Sequence, residues 1–147
     1  MKLPILLLAT ITALVLSACG SGPVKRVSPP TASIQELTIQ ADGNWKLLIR
    51  VQNFSNVPMT FSSINAELQV NGSEIGQVSS GLALDVPGES ADVFTVTLAP
   101  TGMVRPADTG IAYRLHGKIE SSEPAGTFDF ERKSHLSPTP GLPGTWR

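Results

Sequence analysis

The sequence has few of the residues from which metal sites and covalent cross-links are built. Its 147 residues include one cysteine and two histidines. A structural metal site needs several nitrogen or sulfur ligands, and a single cysteine cannot form a disulfide within the chain. We therefore expect no metal and no other cofactor, and we expect the folded part to be stabilised by its apolar core.

Concentrated positive charge is also missing. The chain has 11 basic and 12 acidic residues and a formal net charge of −1. Its closest basic clusters are the pairs Lys25-Arg26 and Arg132-Lys133. Nucleic-acid binding requires a dense basic surface that displaces counterions, so we expect no nucleic-acid partner. Lys25-Arg26 lies where it could contact anionic lipid headgroups, but the sequence alone favours ordinary solvated charges for both pairs.

The sequence shows no convergent catalytic set. It has no nucleophile elbow and no glycine-rich phosphate loop before a helix. His116 falls on the polar face of a predicted strand, and His135 lies near the C-terminal tail. Three carboxylates cluster around one predicted turn: Asp85, Glu89 and Asp92. Calcium requires more oxygen ligands in a defined loop than such a turn supplies, so we interpret these carboxylates as solvated. We predict that the protein is not an enzyme.

The first eighteen residues have the pattern of a secretory signal. Met1-Lys2 is a short basic start, and an apolar run follows from Leu3 to Val15. The run is shorter than the ~20 residues that a membrane-spanning helix needs, and it ends in small residues typical of a cleavage site. We assign residues 1–18 to a signal peptide that is removed.

The end of this segment, Leu16-Ser17-Ala18-Cys19, resembles a bacterial lipobox. The resemblance implies that the sulfur of Cys19 is lipidated and that its amino group is acylated. One acyl chain binds a membrane only marginally, whereas several form a stable anchor. Gly20 occupies the position where an aspartate often signals inner-membrane retention in Gram-negative lipoproteins. The expected location is therefore the bacterial envelope, lipid-anchored in the outer membrane and facing the periplasm.

The rest of the chain is divided by composition into three parts. We interpret residues 19–32 as the lipidated cysteine and a flexible tether, 33–133 as the folded domain and 134–147 as a proline-rich tail. The thirteen residues after Cys19 would span on the order of 20–40 Å, although the sequence leaves open whether they fold back onto the domain. Trp146 has no periodic pattern around it, which favours fraying or weak docking.

Apolar residues at every second position predict β-strands in the domain. Two such faces are clearest: Trp45, Leu47, Ile49 and Val51, and then Ile64, Ala66, Leu68 and Val70. About seven strands with turn signals every 8–12 residues predict an all-β, immunoglobulin-like antiparallel β-sandwich. The loop from Pro100 to Thr109 leaves room for one short helix.

The sequence predicts one tight turn and one bulge in the domain. Asn71-Gly72 predicts a tight hairpin, because both residues tolerate positive φ, and the spacing of Ile75 and Val78 predicts a bulge near Gly76. Asn53-Phe54-Ser55 and Asn71-Gly72-Ser73 also match the glycosylation pattern. In a bacterial lipoprotein we interpret both as turn chemistry.

The order of these landmarks is similar to that of the late embryogenesis abundant type 2 family, also called the WHy (water stress and hypersensitive response) domain. The similarity extends from about Ile34 to Phe130, with Phe54 where family members usually have proline. The residues that carry it are Leu47-x-Ile49-x-Val51-x-Asn53, Val57-Pro58, Leu68-x-Val70-Asn71-Gly72-x-x-Ile75-Gly76, Val86-Pro87-Gly88-x-Ser90, Phe94-x-Val96-x-Leu98 and Tyr113-x-Leu115-x-Gly117-x-Ile119.

The resemblance implies a small β-sandwich and a link to desiccation and stress tolerance. Some family members are described as protecting other proteins from inactivation without catalytic residues. The implied role is a membrane-tethered, non-catalytic module that protects protein clients or surfaces. The alternative is an envelope assembly or adaptor subunit that binds a protein partner through an exposed sheet edge. The client, the partner and the oligomeric state stay open.

Overall fold

The computed structural model describes residues 22–102, 104, 106 and 108–147, and these residues form an all-β sandwich without a helix. The predicted signal peptide, the lipobox and Cys19 lie outside the described residues. The short helix allowed for the loop after Pro100 is not found in its described part. The strands are β1 (Thr31–Ile39), β2 (Trp45–Gln52), β3 (Met59–Val70), β4 (Ser73–Val86), β5 (Ala91–Leu98), β6 (Ile111–Glu123), β7 (Ala125–Leu136) and β8 (Thr145–Trp146).

The strands form two antiparallel sheets with the orders β5-β2-β1-β8 and β4-β3-β6-β7. Without β8, this is an immunoglobulin-like arrangement in which the fourth strand pairs with the third. The residues after the Asn71-Gly72 turn form one continuous strand of 14 residues, β4. The eighth strand comes from the segment that the sequence suggested was a loose tail.

The core lies between the sheets and is built from alternate residues of each strand. The predicted inward residues of β2 and β3 are all buried: Trp45, Leu47, Ile49, Val51, Ile64, Ala66, Leu68 and Val70. Their neighbours Lys46 and Arg50 are exposed on the other face. A fully buried large aliphatic or aromatic side chain contributes about 1.5–3 kcal/mol. The alternating pattern therefore supplies most of the driving force for the fold.

The hairpin between β3 and β4 has the predicted turn and the predicted bulge. Asn71 and Gly72 have φ values of 49° and 80°, as a two-residue turn of this type requires. The register then passes from the pair Leu68–Gly76 to the pair Gln69–Glu74. Ile75 is the extra residue of this bulge, and its side chain is buried. Both predictions are confirmed.

The C-terminal segment is docked on the sandwich, which corrects the expectation that Trp146 is frayed or only weakly docked. Trp146 pairs with Leu37 at the edge of β1 and is only 6% exposed. The backbones of Ser137 and Arg147 exchange two hydrogen bonds of 2.7 and 2.9 Å. The Arg147 guanidinium lies 2.7 Å from the Glu36 carboxylate. The segment is thus a turn that returns the chain to the first sheet.

Replacing Trp146 with alanine should lower the free energy of unfolding by about 3 kcal/mol, because a large buried ring is lost at the sheet edge. Chemical denaturation followed by the fluorescence of Trp45 measures this change. Leu142→Ala is the control, since Leu142 lies in the same turn and is 49% exposed. Its effect should stay within about 0.5 kcal/mol. Equal midpoints for the two variants would mean that the ring does not pack as described.

Candidate functional site

The sandwich has two ends, and only one of them receives the chain from the predicted anchor. This proximal end contains the segment before β1, the β2–β3 corner (residues 53–58), the β4–β5 turn (87–90) and the β6–β7 turn around Pro124. The distal end contains the β1–β2 and β3–β4 turns, the loop after β5 and the C-terminal turn. Strand registers fix this division, because Thr31 pairs with Gln52 at one end and Ile39 with Trp45 at the other.

Asn53 joins the loops of the proximal end from a fully buried position. Its side-chain amide, Nδ2, lies within hydrogen-bond distance of three carbonyl oxygens: Val57 at 2.9 Å, Val86 at 3.1 Å and Pro87 at 3.1 Å. Its Oδ1 accepts a hydrogen bond of 2.8 Å from the backbone N–H of Ser55. Its own backbone N–H donates to the Ser90 carbonyl at 2.8 Å. One side chain therefore holds the corner against the β4–β5 turn.

The same corner clamps the segment that precedes β1. Asn56 Nδ2 donates to the Val24 carbonyl at 2.8 Å, and the Arg26 N–H donates to Asn56 Oδ1 at 2.7 Å. Two residues after Arg26, the Ser28 N–H donates to Ser55 Oγ at 2.8 Å. The sequence left open whether this segment folds back. From Val24 onward it does, so the free tether is much shorter than thirteen residues.

Close packing of the two turns requires a glycine at position 88. A Cβ added there would lie 2.8 Å from the backbone carbon of Asn56 and 3.0 Å from the backbone nitrogen of Val57. Both neighbours are backbone atoms, so neither can rotate away. The Pro87-Gly88 landmark thus has a physical role, which is to let the β4–β5 turn approach the corner.

Between these loops lies an open cleft of about 890 Å³, here called the end cleft. Its size falls within the range of ordinary ligand pockets. Its walls are mostly aliphatic side chains and proline rings, and four polar side chains complete the lining. The lining residues are Lys25, Val27, Val57, Pro58, Met59, Thr60, Asp85, Val86, Pro87, Glu123 and Pro124.

The chemistry of the end cleft suits an apolar occupant. Thr60 Oγ1 donates to Asp85 Oδ1 at 2.7 Å, so the two groups satisfy each other. The prolines supply no N–H donor to a ligand. With mostly apolar walls, the cleft can shelter an aliphatic chain or an apolar side chain from water, and Lys25 and Glu123 add charges of both signs to its lining. The described lining contains no histidine or cysteine for nucleophilic chemistry.

The polar residues singled out in the sequence are not brought together. In the β6–β7 ladder His116 pairs with Glu131, and His135 pairs with Ala112. The two histidines therefore lie at register positions four residues apart along β6. The three carboxylates of the acidic turn have separate partners. Asp85 accepts from Thr60, Asp92 accepts from the Val93 N–H at 2.8 Å, and Glu89 lies 3.7 Å from Arg26. Among the described residues, no group of three or more possible metal ligands occurs.

The outer face of the second sheet carries a small network of ion pairs. Arg114 donates through Nε and Nη2 to Glu131 Oε2 at 3.1 and 2.7 Å, and Lys133 lies 3.0 Å from Oε1. Hydrogen bonds from Arg114 first, and then from Lys133, lower the pKa of Glu131 from 4.5 to about 2. These side chains are partly exposed, so solvent screens the pairs and their contribution to stability is small. That small contribution depends on pH in the acid range.

Glu131→Gln should flatten the dependence of stability on pH in acid. The pKa of Glu131 is lower in the folded chain than in the unfolded chain. Its contribution is therefore complete above about pH 4.5 and is lost as the pH falls toward 2. Thermal melts at intervals across that range should show a smaller loss for the variant than for the parent. Arg114→Gln removes the largest cause and should flatten the same interval, whereas an unchanged acid slope in both variants would contradict the assignment.

The most connected residue of this end, Asn53, is not evident from the local sequence. The sequence predicts a turn at Asn53, and nothing in the local pattern indicates that its amide reaches carbonyls more than thirty residues away. The available signal was the set of landmarks itself. Asn53, Val57-Pro58 and Val86-Pro87-Gly88 are separated in sequence, and the structure places them in direct contact.

In the part of the chain that the structure describes, no helix has the length and apolarity needed to cross a bilayer. No protein-family model matches the chain, and no curated protein does. The solved structures that are similar to it include two of known origin or designation. One is the X-ray structure of a structural-genomics target designated SoR45, 12% identical, with a TM-score of 0.49, covering 80% of this chain and 92% of the other. The second is a protein from Archaeoglobus fulgidus, 14% identical, with a TM-score of 0.41, covering 78% and 98% of the two chains.

Proposed function

We propose that this chain is a non-catalytic lipoprotein of the bacterial envelope, anchored through Cys19, whose sandwich protects proteins or surfaces during desiccation or other stress. The lipobox Leu16-Ser17-Ala18-Cys19 supports the anchor, and Gly20 supports the outer membrane facing the periplasm. The resemblance to the late embryogenesis abundant type 2 family supports the protective role.

The proposal is supported by the arrangement of loops at the proximal end. Three landmarks of the resemblance meet there: Asn53 with its neighbours, Val57-Pro58 and Val86-Pro87-Gly88. Val57-Pro58 and Val86-Pro87 line the end cleft, and Asn53 holds their backbones together. Residues that share a pattern along the sequence are thus joined in one apolar cleft beside the segment that leads to the anchor. Such a cleft can cover apolar groups that drying exposes on another molecule.

The protective role can be tested by drying. A labile enzyme is dried and rehydrated with residues 20–147 of this chain, and its recovered activity is compared with that after drying with an equal mass of albumin. Protection beyond albumin is expected. Val27→Asp places a charge in the wall of the end cleft and should reduce protection. Val93→Asp, at a valine of nearly equal exposure on the outer face of β5, should leave it unchanged. Recovery no better than with albumin would reject the proposal.

Lipidation of Cys19 can be tested separately from the protective role. Cys19→Ser removes the acylated sulfur, so the protein should be released or mis-sorted instead of fractionating with membranes. Detergent-dependent fractionation of the parent and the variant measures this. Identical fractionation of the two chains would refute lipidation at Cys19 without bearing on the protective activity of the sandwich.

A second function, an envelope adaptor, is favoured by one edge of the sandwich. β5 hydrogen-bonds only to β2 and ends the first sheet. Its eight residues, Ala91–Leu98, contain no lysine, arginine or proline, which are the residues that usually protect an edge from pairing. A partner strand could add there. Crosslinking followed by recovery of one stoichiometric partner would favour the adaptor, whereas several clients recovered in varying amounts would favour protection.

A further inference from the structure

Exposed aliphatic and aromatic side chains gather at the proximal end. Val24, Val27 and Phe54 are 82%, 46% and 49% exposed, and we call these three residues the apolar rim. The β2–β3 corner holds them near one another, since Asn56 bonds to the Val24 carbonyl and Arg26 Nη2 donates to the Phe54 carbonyl at 3.4 Å. Single exposed apolar residues are ordinary, but several together at one site mark an interaction surface.

The clamp leaves little chain between the rim and the predicted anchor. Val24 is held by Asn56 and is only five residues from Cys19. Fully extended, that link spans at most about 18 Å. A bilayer has polar layers of about 5–8 Å on each side of its hydrocarbon core. An anchored Cys19 therefore keeps the rim within reach of the lipid surface at all times.

Basic side chains lie within the rim itself, whereas the carboxylates of this end belong to the cleft and to the β4–β5 turn: Asp85, Glu123 and Glu89. Lys25 and Arg26 lie between Val24 and Val27, so a pair of basic side chains is flanked by two aliphatic ones in the clamped segment. No ion pair joins Lys25 to another described residue, and the ion pair between Arg26 and the exposed Glu89 is long, at 3.7 Å. Aliphatic groups favour the headgroup–acyl boundary, and each basic residue near an anionic surface is worth about 1 kcal/mol.

We propose that the proximal end is a lipid-contact face on which the sandwich rests upright on the bilayer. Val24, Val27 and Phe54 enter the headgroup–acyl boundary, and Lys25 and Arg26 lie at the phosphates. The end cleft then covers lipid, so the membrane is the surface that the anchored protein protects. The distal turns then face the aqueous compartment. This inference rests on the proposed anchoring at Cys19 and adds an orientation and a partner, the membrane surface.

The test uses the mature lipoprotein reconstituted into vesicles of phosphatidylethanolamine and phosphatidylglycerol. Lipidation uses the only native thiol, so Phe54→Cys and Leu142→Cys each give one site for an environment-sensitive dye. Both positions are 49% exposed, and they lie at opposite ends of the sandwich. The dye at position 54 should shift to shorter wavelength and be quenched by lipids that carry a nitroxide near the headgroup. The dye at 142 should behave as in water.

Three other results would overturn the lipid contact. Vesicle-bound protein with both dyes in water would overturn the lipid contact while leaving the anchor intact. A dye at 54 that is shielded from water yet not quenched by the nitroxide lipids would show that protein covers the rim, which also overturns the proposal. Parent protein that does not float with vesicles, and whose Cys19 reacts with a maleimide, would refute the anchor and with it the contact.

A matched pair of variants separates the rim from general effects on folding. Val27→Asp, made in the chain labelled at position 54, should lower lipid quenching several-fold because a carboxylate replaces an aliphatic side chain in the contact. Val93→Asp, at 44% exposure against 46%, should leave the quenching unchanged. Circular dichroism checks that both variants are folded. Equal quenching in the two would contradict a contact through the rim.

Discussion

An aspartate in place of Ile49 should leave the chain without a folded sandwich. Ile49 is fully buried in β2, between Ile34 of β1 and Phe94 of β5. Its face of the sheet packs on the second sheet, so a carboxylate there would have neither water nor a basic partner. Burial of an unpaired charge costs several kcal/mol even after the protein relaxes, and the lost packing adds about 2–5 kcal/mol. The sum approaches the 5–15 kcal/mol stability of an ordinary domain.

Arg50→Asp is the matched control for this prediction. Arg50 is the next residue of the same strand, and its side chain is exposed on the opposite face. It pairs with Ser33 and Val93, which lie on the outer surface of the sheet. Far-ultraviolet circular dichroism and the fluorescence of Trp45 should show an unfolded chain for Ile49→Asp and a cooperative melt near that of the parent for Arg50→Asp. Two folded variants with similar midpoints would contradict the assigned faces.

This pair of residues also shows why so much of the fold could be predicted. The direction of a strand side chain depends only on whether its position is odd or even, so Ile49 and Arg50 report their faces locally. Turn residues are local too, which is why the hairpin at Asn71-Gly72 and the bulge at Ile75 could be predicted. Both kinds of signal are complete within about ten residues of sequence.

The tail and the tether could not be predicted in this way, because their structure depends on distant partners. β8 is two residues long, which is too short for a period, and Trp146 is buried only because the chain turns back to Leu37. Val24 is held by a side chain 32 positions away. Composition alone makes both segments resemble flexible chain, because glycine, serine and proline are frequent in turns as well as in linkers.

The same limit applies to the candidate site. Three sequence landmarks could be recognised in order, but order does not show that they touch. The contacts depend on which strands pair and on how closely the β4–β5 turn approaches the corner, which Gly88 decides. The end cleft is a product of those loops rather than of any one segment. The landmarks can be read one by one from the sequence, but their contact at the proximal end follows only from the fold.

Replacing Asn53 with aspartate should cost about 4 kcal/mol, although the side chain keeps its size. The change removes the Nδ2 donors and sets a carboxylate oxygen against three carbonyl oxygens at 2.9–3.1 Å. Each buried group that loses its partner costs about 1–3 kcal/mol. The hydrogen bond from the Ser55 N–H to Oδ1 can persist, so the loss reports mainly the donors. Denaturant melts of the variant and the parent measure the difference.

The direction of the pH dependence makes this prediction specific. Burial and three facing carbonyls raise the pKa of the introduced carboxyl above its value in the unfolded chain. The variant should then recover stability as the pH falls from 7 toward 5, since the neutral carboxyl can donate to one carbonyl, and this is a gain that the parent lacks. Asn65→Asp, on the exposed face of β3, is the control and should show neither the loss nor the recovery. If the Asn53 variant melted like the Asn65 variant at pH 7, the amide would not be joining the loops, and the end cleft would lose the residue that holds its walls together.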